Sequence, residues 1–197
     1  MARVKDAPPA RGAGWLRIVG GRYRGRRLPI PDQPGLRPTP DRVRETLFNW
    51  LAPVLPGARC LDLFAGSGAL GLEAASRGAG DVVLVERSEP VVRQLKANIA
   101  ALGAESVHTV QADALRWLER EPPSPFDVVF LDPPFADALL GAACERLSAA
   151  AWLAPGARVY LESAARSAFP DLPAGWEPLR ERTAGQVRFG LVLIPGD

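Results

Sequence analysis

Residues 59–68 read RCLDLFAGSG, an apolar run entering Asp62-Leu63-Phe64-Ala65-Gly66-Ser67-Gly68 just ahead of a helix predicted to begin near Leu70. Such a run reads as a buried strand, and glycines where it meets a helix let the backbone turn tightly and approach a ligand. From Ala58 onward, short apolar runs alternate with longer helical stretches, the pattern of a doubly wound α/β sheet. Strands are predicted over 59–64, 81–86, 106–111, 126–131 and 157–162, with helices between them. Two more, over 176–182 and 186–194, are joined by only Thr183, Ala184 and Gly185, which dictates an antiparallel hairpin. The expected fold is therefore α/β and Rossmann-like, a mostly parallel seven-stranded sheet ending in an antiparallel hairpin.

Ligands of open α/β sheets bind just outside the carboxyl ends of the strands, so the residues that follow each strand are the candidates for a site. Gly66 and Gly68 lie there, and a nucleoside-bearing cofactor is the natural occupant. Asp62 refines the choice, since a carboxylate suits a ligand with a cationic amine better than a pyrophosphate, which prefers bare backbone amides. Glu86 ends the second strand some twenty residues on, the place where an acidic side chain accepts hydrogen bonds from both ribose hydroxyls. Asp113, in Gln111-Ala112-Asp113-Ala114, follows the third strand. It can accept a hydrogen bond from an adenine amino group or cap the next helix.

Asp132-Pro133-Pro134-Phe135 comes directly after the apolar strand FDVVFL. Two successive prolines hold the backbone extended and remove two amide donors, leaving carbonyl oxygens to face a ligand. Asp132 and a neighbouring carbonyl can then hold an exocyclic amine by its hydrogens, while Phe135 stacks on the attached base.

The amino-terminal segment carries a different message. Residues 1–44 hold 11 Arg or Lys against 3 Asp or Glu, whereas the remainder holds 13 against 19, so the overall charge of +2 hides a basic end. A basic segment attracts a polyanion by displacing its counterions, and a solvated tail is the bland alternative. Within it, WLRIVGGRYRGRRLPIP from Trp15 predicts a short twisted hairpin that exposes Arg22, Arg24, Arg26 and Arg27. Tyr23, set among them, is open to two roles: stacking on an unpaired base or packing inside. Asp41 is placed as the N-cap of a helix over RVRETLFNWLAPV, whose Val43, Leu47, Phe48 and Leu51 form a docking stripe. The expected organisation is a flexible tail (1–14), a basic hairpin with docking helix (15–56) and a catalytic α/β domain (57–197).

Several classes are disfavoured. The longest apolar runs are far too short to span a bilayer, and no apolar segment follows the first basic residues, so a cytoplasmic protein is expected. Cys60 and Cys144 stand apart from any Cys-x-x-Cys or Cys/His cluster, so no metal or disulfide framework is expected. His108 is the sole histidine and reads as an ordinary, partly buried strand residue.

The ordered set DLFAGSG, Glu86, Asp113 and DPPF resembles that of class I methyltransferases acting on amino groups of bases. RIVGGRYRGRRLPIP together with RPTPDRVRETLFNWL is similar, more narrowly, to the RsmD family of bacterial small-subunit (16S) ribosomal RNA guanine-N2 methyltransferases. The resemblance runs from about Leu16 to the carboxyl terminus. It implies S-adenosylmethionine as cofactor, held by Asp62, Phe64, Gly66 and Gly68, with Glu86 on the ribose, Asp113 and Ala114 around the adenine, and Thr39 closing over the methionine end. It further implies that Asp132, Pro133, Pro134 and Phe135 receive the target guanine, and that Arg22, Tyr23, Arg24, Arg26 and Arg27 grip ribosomal RNA, free or in the small subunit. Neither metal nor membrane is implied, and a monomer is expected. An adenine-N6 DNA methyltransferase and a non-catalytic RNA-binding assembly factor remain the competing readings.

Overall fold

The computed structural model describes residues 14–196 other than 34, 35, 37, 123, 135 and 136. An amino-terminal hairpin, β1 (Gly14–Arg17) and β2 (Arg27–Ile30), leads into helix α1 (Asp41–Leu51). The sheet domain then runs β3 (Arg59–Asp62), α2 (Ala69–Ser76), β4 (Asp81–Glu86), α3 (Glu89–Leu102), β5 (Val107–Gln111), α4 (Ala114–Trp117), β6 (Phe126–Leu131), α5 (Asp137–Ala149), β7 (Leu153–Ala164), β8 (Glu177–Ala184) and β9 (Val187–Leu193). Its seven strands lie in the order β5-β4-β3-β6-β7-β9-β8. The first five are parallel, and β9 inserts antiparallel between β7 and β8.

Strand alternation divides the core in two. Cys60, Val82, Leu84, Val128, Phe130 and Tyr160 face the side covered by the hairpin and helices α1 to α3. Leu61, Leu63, Val85, Val129, Leu131 and Leu161 face the side that carries Trp117, Cys144 and Trp152. The stripe predicted for α1 is buried throughout, with Phe48 against Phe130 at a centroid distance of 5.8 Å.

The sequence reading of these elements needs amendment at Ala157, Asp41, His108 and Gly14. Strand β7 starts at Leu153, ahead of Ala157, because the ladder with β6 shifts register between Phe126 and Val128 and so absorbs Pro155-Gly156. Asp41 is the first residue of α1, following Pro40, and makes no cap; its carboxylate instead takes Arg17 at 2.6 Å and Arg44 at 2.5 Å. His108 lies exposed on the edge strand β5, 3.6 Å from Asp81. The expected tail lies outside the described residues except for Gly14, which opens β1. Among the described residues no helix is long and apolar enough to cross a membrane, and no cluster of metal-ligating side chains occurs.

What fastens the hairpin to the sheet domain is Glu73, a carboxylate on α2 with no solvent exposure. Its oxygens accept the backbone N–H groups of Val19 at 2.9 Å and Gly20 at 2.8 Å. They also meet the guanidinium groups of Arg44 at 3.2 Å and Arg77 at 2.7 Å. Ser76, three residues on, accepts the Tyr23 N–H and donates to the Gly20 carbonyl. This contact is so close that a Cβ on Gly21, whose φ is +74°, would stand 1.8 Å from the Ser76 carbonyl oxygen. The diglycine at the tip therefore serves docking as much as turning.

Arg44 is 1% exposed, so removal of Glu73 leaves a buried guanidinium with Asp41 as its one remaining carboxylate partner and takes the acceptor from two backbone donors and from Arg77. Glu73→Ala is expected to lower the unfolding free energy by about 3–5 kcal/mol, measured by urea denaturation. A loss within the range of an ordinary surface substitution would show that the hairpin is held by apolar packing alone.

Candidate active site

The glycine loop leaves β3 at Asp62 and turns through Gly66 (φ +49°) and Gly68 (φ +77°) into α2. Gly68 is favoured here by its left-handed φ, and a Cβ on it would come within 2.7 Å of the Leu95 side chain on α3, which would have to shift. Gly66 has its N–H on Glu86 Oε2 at 3.0 Å, and Glu86 Oε1 takes the Ser88 N–H at 2.7 Å. Two backbone donors thus aim the Glu86 carboxylate at the carboxyl end of β4 and tie it to the loop. Phe64 is half-buried and packs on the Trp117 side of the sheet.

Asp62 is buried, and its Oδ2 accepts the Gly71 N–H at 2.9 Å, inside the first turn of α2. Burial pushes its carboxyl up to about 7, with the Gly71 hydrogen bond pulling the other way and the charges of Asp132 and Glu86 adding to the rise. Asp113 is exposed and caps α4, accepting the Arg116 N–H at 3.1 Å through Oδ1. Of its two possible roles the cap is thus present, and its second oxygen takes no hydrogen bond among the described residues. The adjoining Ala114 is buried.

Asp132 stands at the carboxyl end of β6, the strand next to β3. The buried Thr39 hydroxyl donates to its Oδ2 at 3.3 Å, while the Thr39 carbonyl accepts from the Arg44 guanidinium at 3.1 Å. Thr39, expected over the cofactor's methionine end, thus spends its hydroxyl on Asp132. Burial raises the Asp132 carboxyl to about 6, less than it would be without the Thr39 hydrogen bond, so at neutral pH the group is mostly ionised. Pro133 is buried and Pro134 exposed, while Phe135 lies outside the described residues. Among the described residues, no cation pairs with Glu86, Asp113 or Asp132. The three strand ends therefore form an acidic rim suited to a cationic ligand.

Sequence reasoning missed Glu162, near the carboxyl end of β7 and 5% exposed. Its Oε2 accepts the hydroxyl of the buried Tyr160 at 2.6 Å. A carboxylate two residues beyond a tyrosine inside an apolar strand was the available signal, hidden because no motif marks it.

The hairpin presents Arg22, Arg24 and Arg27 to solvent. Tyr23 takes the packing role: its ring is 9% exposed, with the Arg22 guanidinium 5.6 Å from its centroid, so no free face remains for a base. Arg26 is half-buried and donates to the Ala101 carbonyl at 2.8 Å, holding the hairpin to the end of α3. Both residues help to dock the hairpin, and of the five expected on RNA it is Arg22, Arg24 and Arg27 that stand exposed.

Comparison with known proteins agrees with this geometry. A ribosomal RNA small subunit methyltransferase D from Escherichia coli K12 is 50% identical over 184 residues, covering 93% of this chain and 92% of that protein. The protein of the same name from Haemophilus influenzae is 44% identical, covering 90% and 93% of the two chains. A solved structure, the putative methyltransferase yhhF from Escherichia coli, is 46% identical and superposes with a TM-score of 0.87, covering 93% of this chain and all of that one. The model of the family described as "Conserved hypothetical protein 95" matches residues 16–193, and the chain belongs to that family, the RsmD family.

Proposed function

We propose that this protein transfers a methyl group from S-adenosylmethionine to the N2 amine of a guanine in small-subunit ribosomal RNA. The observation that carries the reading is Asp132: a mostly ionised carboxylate with no cation paired to it among the described residues, fixed by Thr39 next to the strand that bears the glycine loop. The names of the similar proteins support the ribosomal RNA part of the reading, and the diproline turn supports an amine as the acceptor.

The residues at the strand ends fit this cofactor. Glu86, pre-aimed by Gly66 and Ser88, would hold the ribose hydroxyls; Asp113 and Ala114 would border the adenine; the acidic rim favours a sulfonium and an ammonium together. When bound, the cofactor supplies an electrophilic methyl carbon. The amine of guanine is a poor nucleophile because its lone pair is delocalised into the ring. Asp132 accepts its hydrogens, which holds the nitrogen in line and returns electron density to it. The base has to leave its stack to reach this depth, and the Pro133-Pro134 backbone offers it carbonyl oxygens without competing donors. Arg22, Arg24 and Arg27 hold phosphates outside the pocket.

Two substitutions separate these roles. Glu86→Ala is expected to weaken cofactor binding by roughly 100-fold or more, the worth of two hydrogen bonds to a charged group. Asp132→Ala is expected to leave calorimetric cofactor affinity near that of the unaltered protein while lowering turnover roughly 100- to 1000-fold. Equal loss of both properties in Asp132→Ala would remove Asp132 from the amine site, and methyladenine in DNA without methylguanine in RNA would reject the substrate.

The turnover of the unaltered protein should also fall as pH drops through about 6, where Asp132 takes up a proton, loses its charge and becomes a weaker acceptor for the amine's hydrogens. A rate that is flat from pH 5 to 7 contradicts its role as an ionised acceptor.

Replacing Arg22, Arg24 and Arg27 together should weaken RNA binding and reduce the slope of log affinity against log salt by about two. An unchanged slope takes the hairpin out of the interface.

A further inference from the structure

Glu162 is unlike the other acids of the rim. The register pairs Leu131 with Leu161, so Asp132 and Glu162 are the next residues along two adjacent parallel strands. Glu162 is almost fully buried, no cation contacts it among the described residues, and only Tyr160 donates to it there. Its Oε1 takes no hydrogen bond among the described residues.

We propose that Glu162 selects guanine at this site, its carboxyl group pairing with the N1–H and O6 edge of the base whose N2 amine rests on Asp132. The inference depends on the reading of Asp132 as the amine acceptor. Going round the ring from N2, guanine presents the N1–H donor and then the O6 acceptor. A protonated carboxyl group has one acceptor and one donor side by side, and closes a two-hydrogen-bond ring with that edge. Adenine with its N6 amine on Asp132 presents N1, an acceptor, and then a C–H, so neither bond forms. The Tyr160 hydroxyl fixes the orientation, occupying one lone pair of Oε2 and leaving the other for N1–H.

The protonation state follows from the surroundings. Burial, and after it the charge of Asp132, raise the Glu162 carboxyl to about 8, the Tyr160 hydrogen bond opposing them. The other ionisable group in contact is Tyr160 itself, held neutral by burial, while Asp62 on β3 lies one strand further off, beyond Asp132. From β9, Phe189 stands opposite Glu162, and the neighbouring Arg188 is engaged with Glu181 and the Ser167 carbonyl. Both carboxyls are raised, Glu162 further than Asp132, so near neutral pH the proton resides chiefly on Glu162 and the charge chiefly on Asp132. One accepts from the amine and the other reads the lactam edge.

The test uses small ribosomal subunits from cells lacking the protein, labelled S-adenosylmethionine, and the unaltered chain beside Glu162→Ala, Glu162→Gln and Asp132→Ala. Glu162→Ala is expected to lower kcat/KM roughly 100-fold, as an unread polar edge would, with calorimetric cofactor affinity retained. Glu162→Gln should recover most of that loss, because an amide also offers one donor beside one acceptor. It should also lack the fall in kcat/KM that the unaltered protein shows above about pH 8. The proposal is overturned if Glu162→Ala matches the unaltered protein, or if Glu162→Gln keeps the alkaline fall. Should Glu162→Ala fail to fold, the pH profile of Glu162→Gln decides alone. If the unaltered protein methylates guanine and Asp132→Ala does not, only the role of Glu162 is at stake; if guanine is never methylated, the reading of the whole site falls first.

Discussion

The buried carboxylate of Glu73 is the contact on which the working geometry depends. It sits on α2, the helix that the glycine loop opens, and it receives two amides of the hairpin together with two arginines. One of those arginines, Arg44, also binds the Thr39 carbonyl, and the Thr39 hydroxyl binds Asp132. A chain of direct contacts thus runs from the cofactor loop's helix, through the amino-terminal extension, to the carboxylate proposed to hold the amine. The extension is for this reason part of the site. Without it, Asp132 would lose its only side-chain hydrogen bond among the described residues, and its carboxyl would rise further toward protonation at neutral pH.

Electrostatics give the rim its division of labour. Parallel strands deliver Asp62, Glu86, Asp132 and Glu162 to one end of the sheet, and differences in burial and partners separate their states. Asp62 and Glu162 are the more deeply buried and are raised to about 7 and about 8, whereas Asp132, relieved by Thr39, reaches about 6. Neighbouring carboxyl groups held in different protonation states are a recurrent way to place an acceptor and a donor side by side at neutral pH. The basic hairpin lies outside this rim, so attraction for a polyanion and affinity for a cationic cofactor do not compete for one surface.

Much of this was legible in the sequence, because strand alternation and glycine placement are local. Strands β4 and β6 fall at their predicted bounds, and the close spacing of β8 and β9 foretold their antiparallel pairing. Asp62, Glu86, Asp113 and Asp132 all come to the same end of the sheet for the same reason: each closes or follows a parallel strand. What could not be read was long-range pairing. Glu73 looks like any polar residue of a short helix until Arg44, 29 positions earlier, folds against it. Tyr23 sits among exposed arginines in sequence, yet the diglycine docking turns it inward. Glu162 becomes notable only when β6 and β7 align it with Asp132.

The most direct measurement is a crystal structure of the protein with S-adenosylhomocysteine and guanosine. The account predicts the ribose hydroxyls on Glu86, the guanine N2 on Asp132, and the cofactor sulfur one methyl group's reach from that nitrogen. A cofactor sulfur facing away from the diproline turn, or a base bound outside the strand ends, would contradict it.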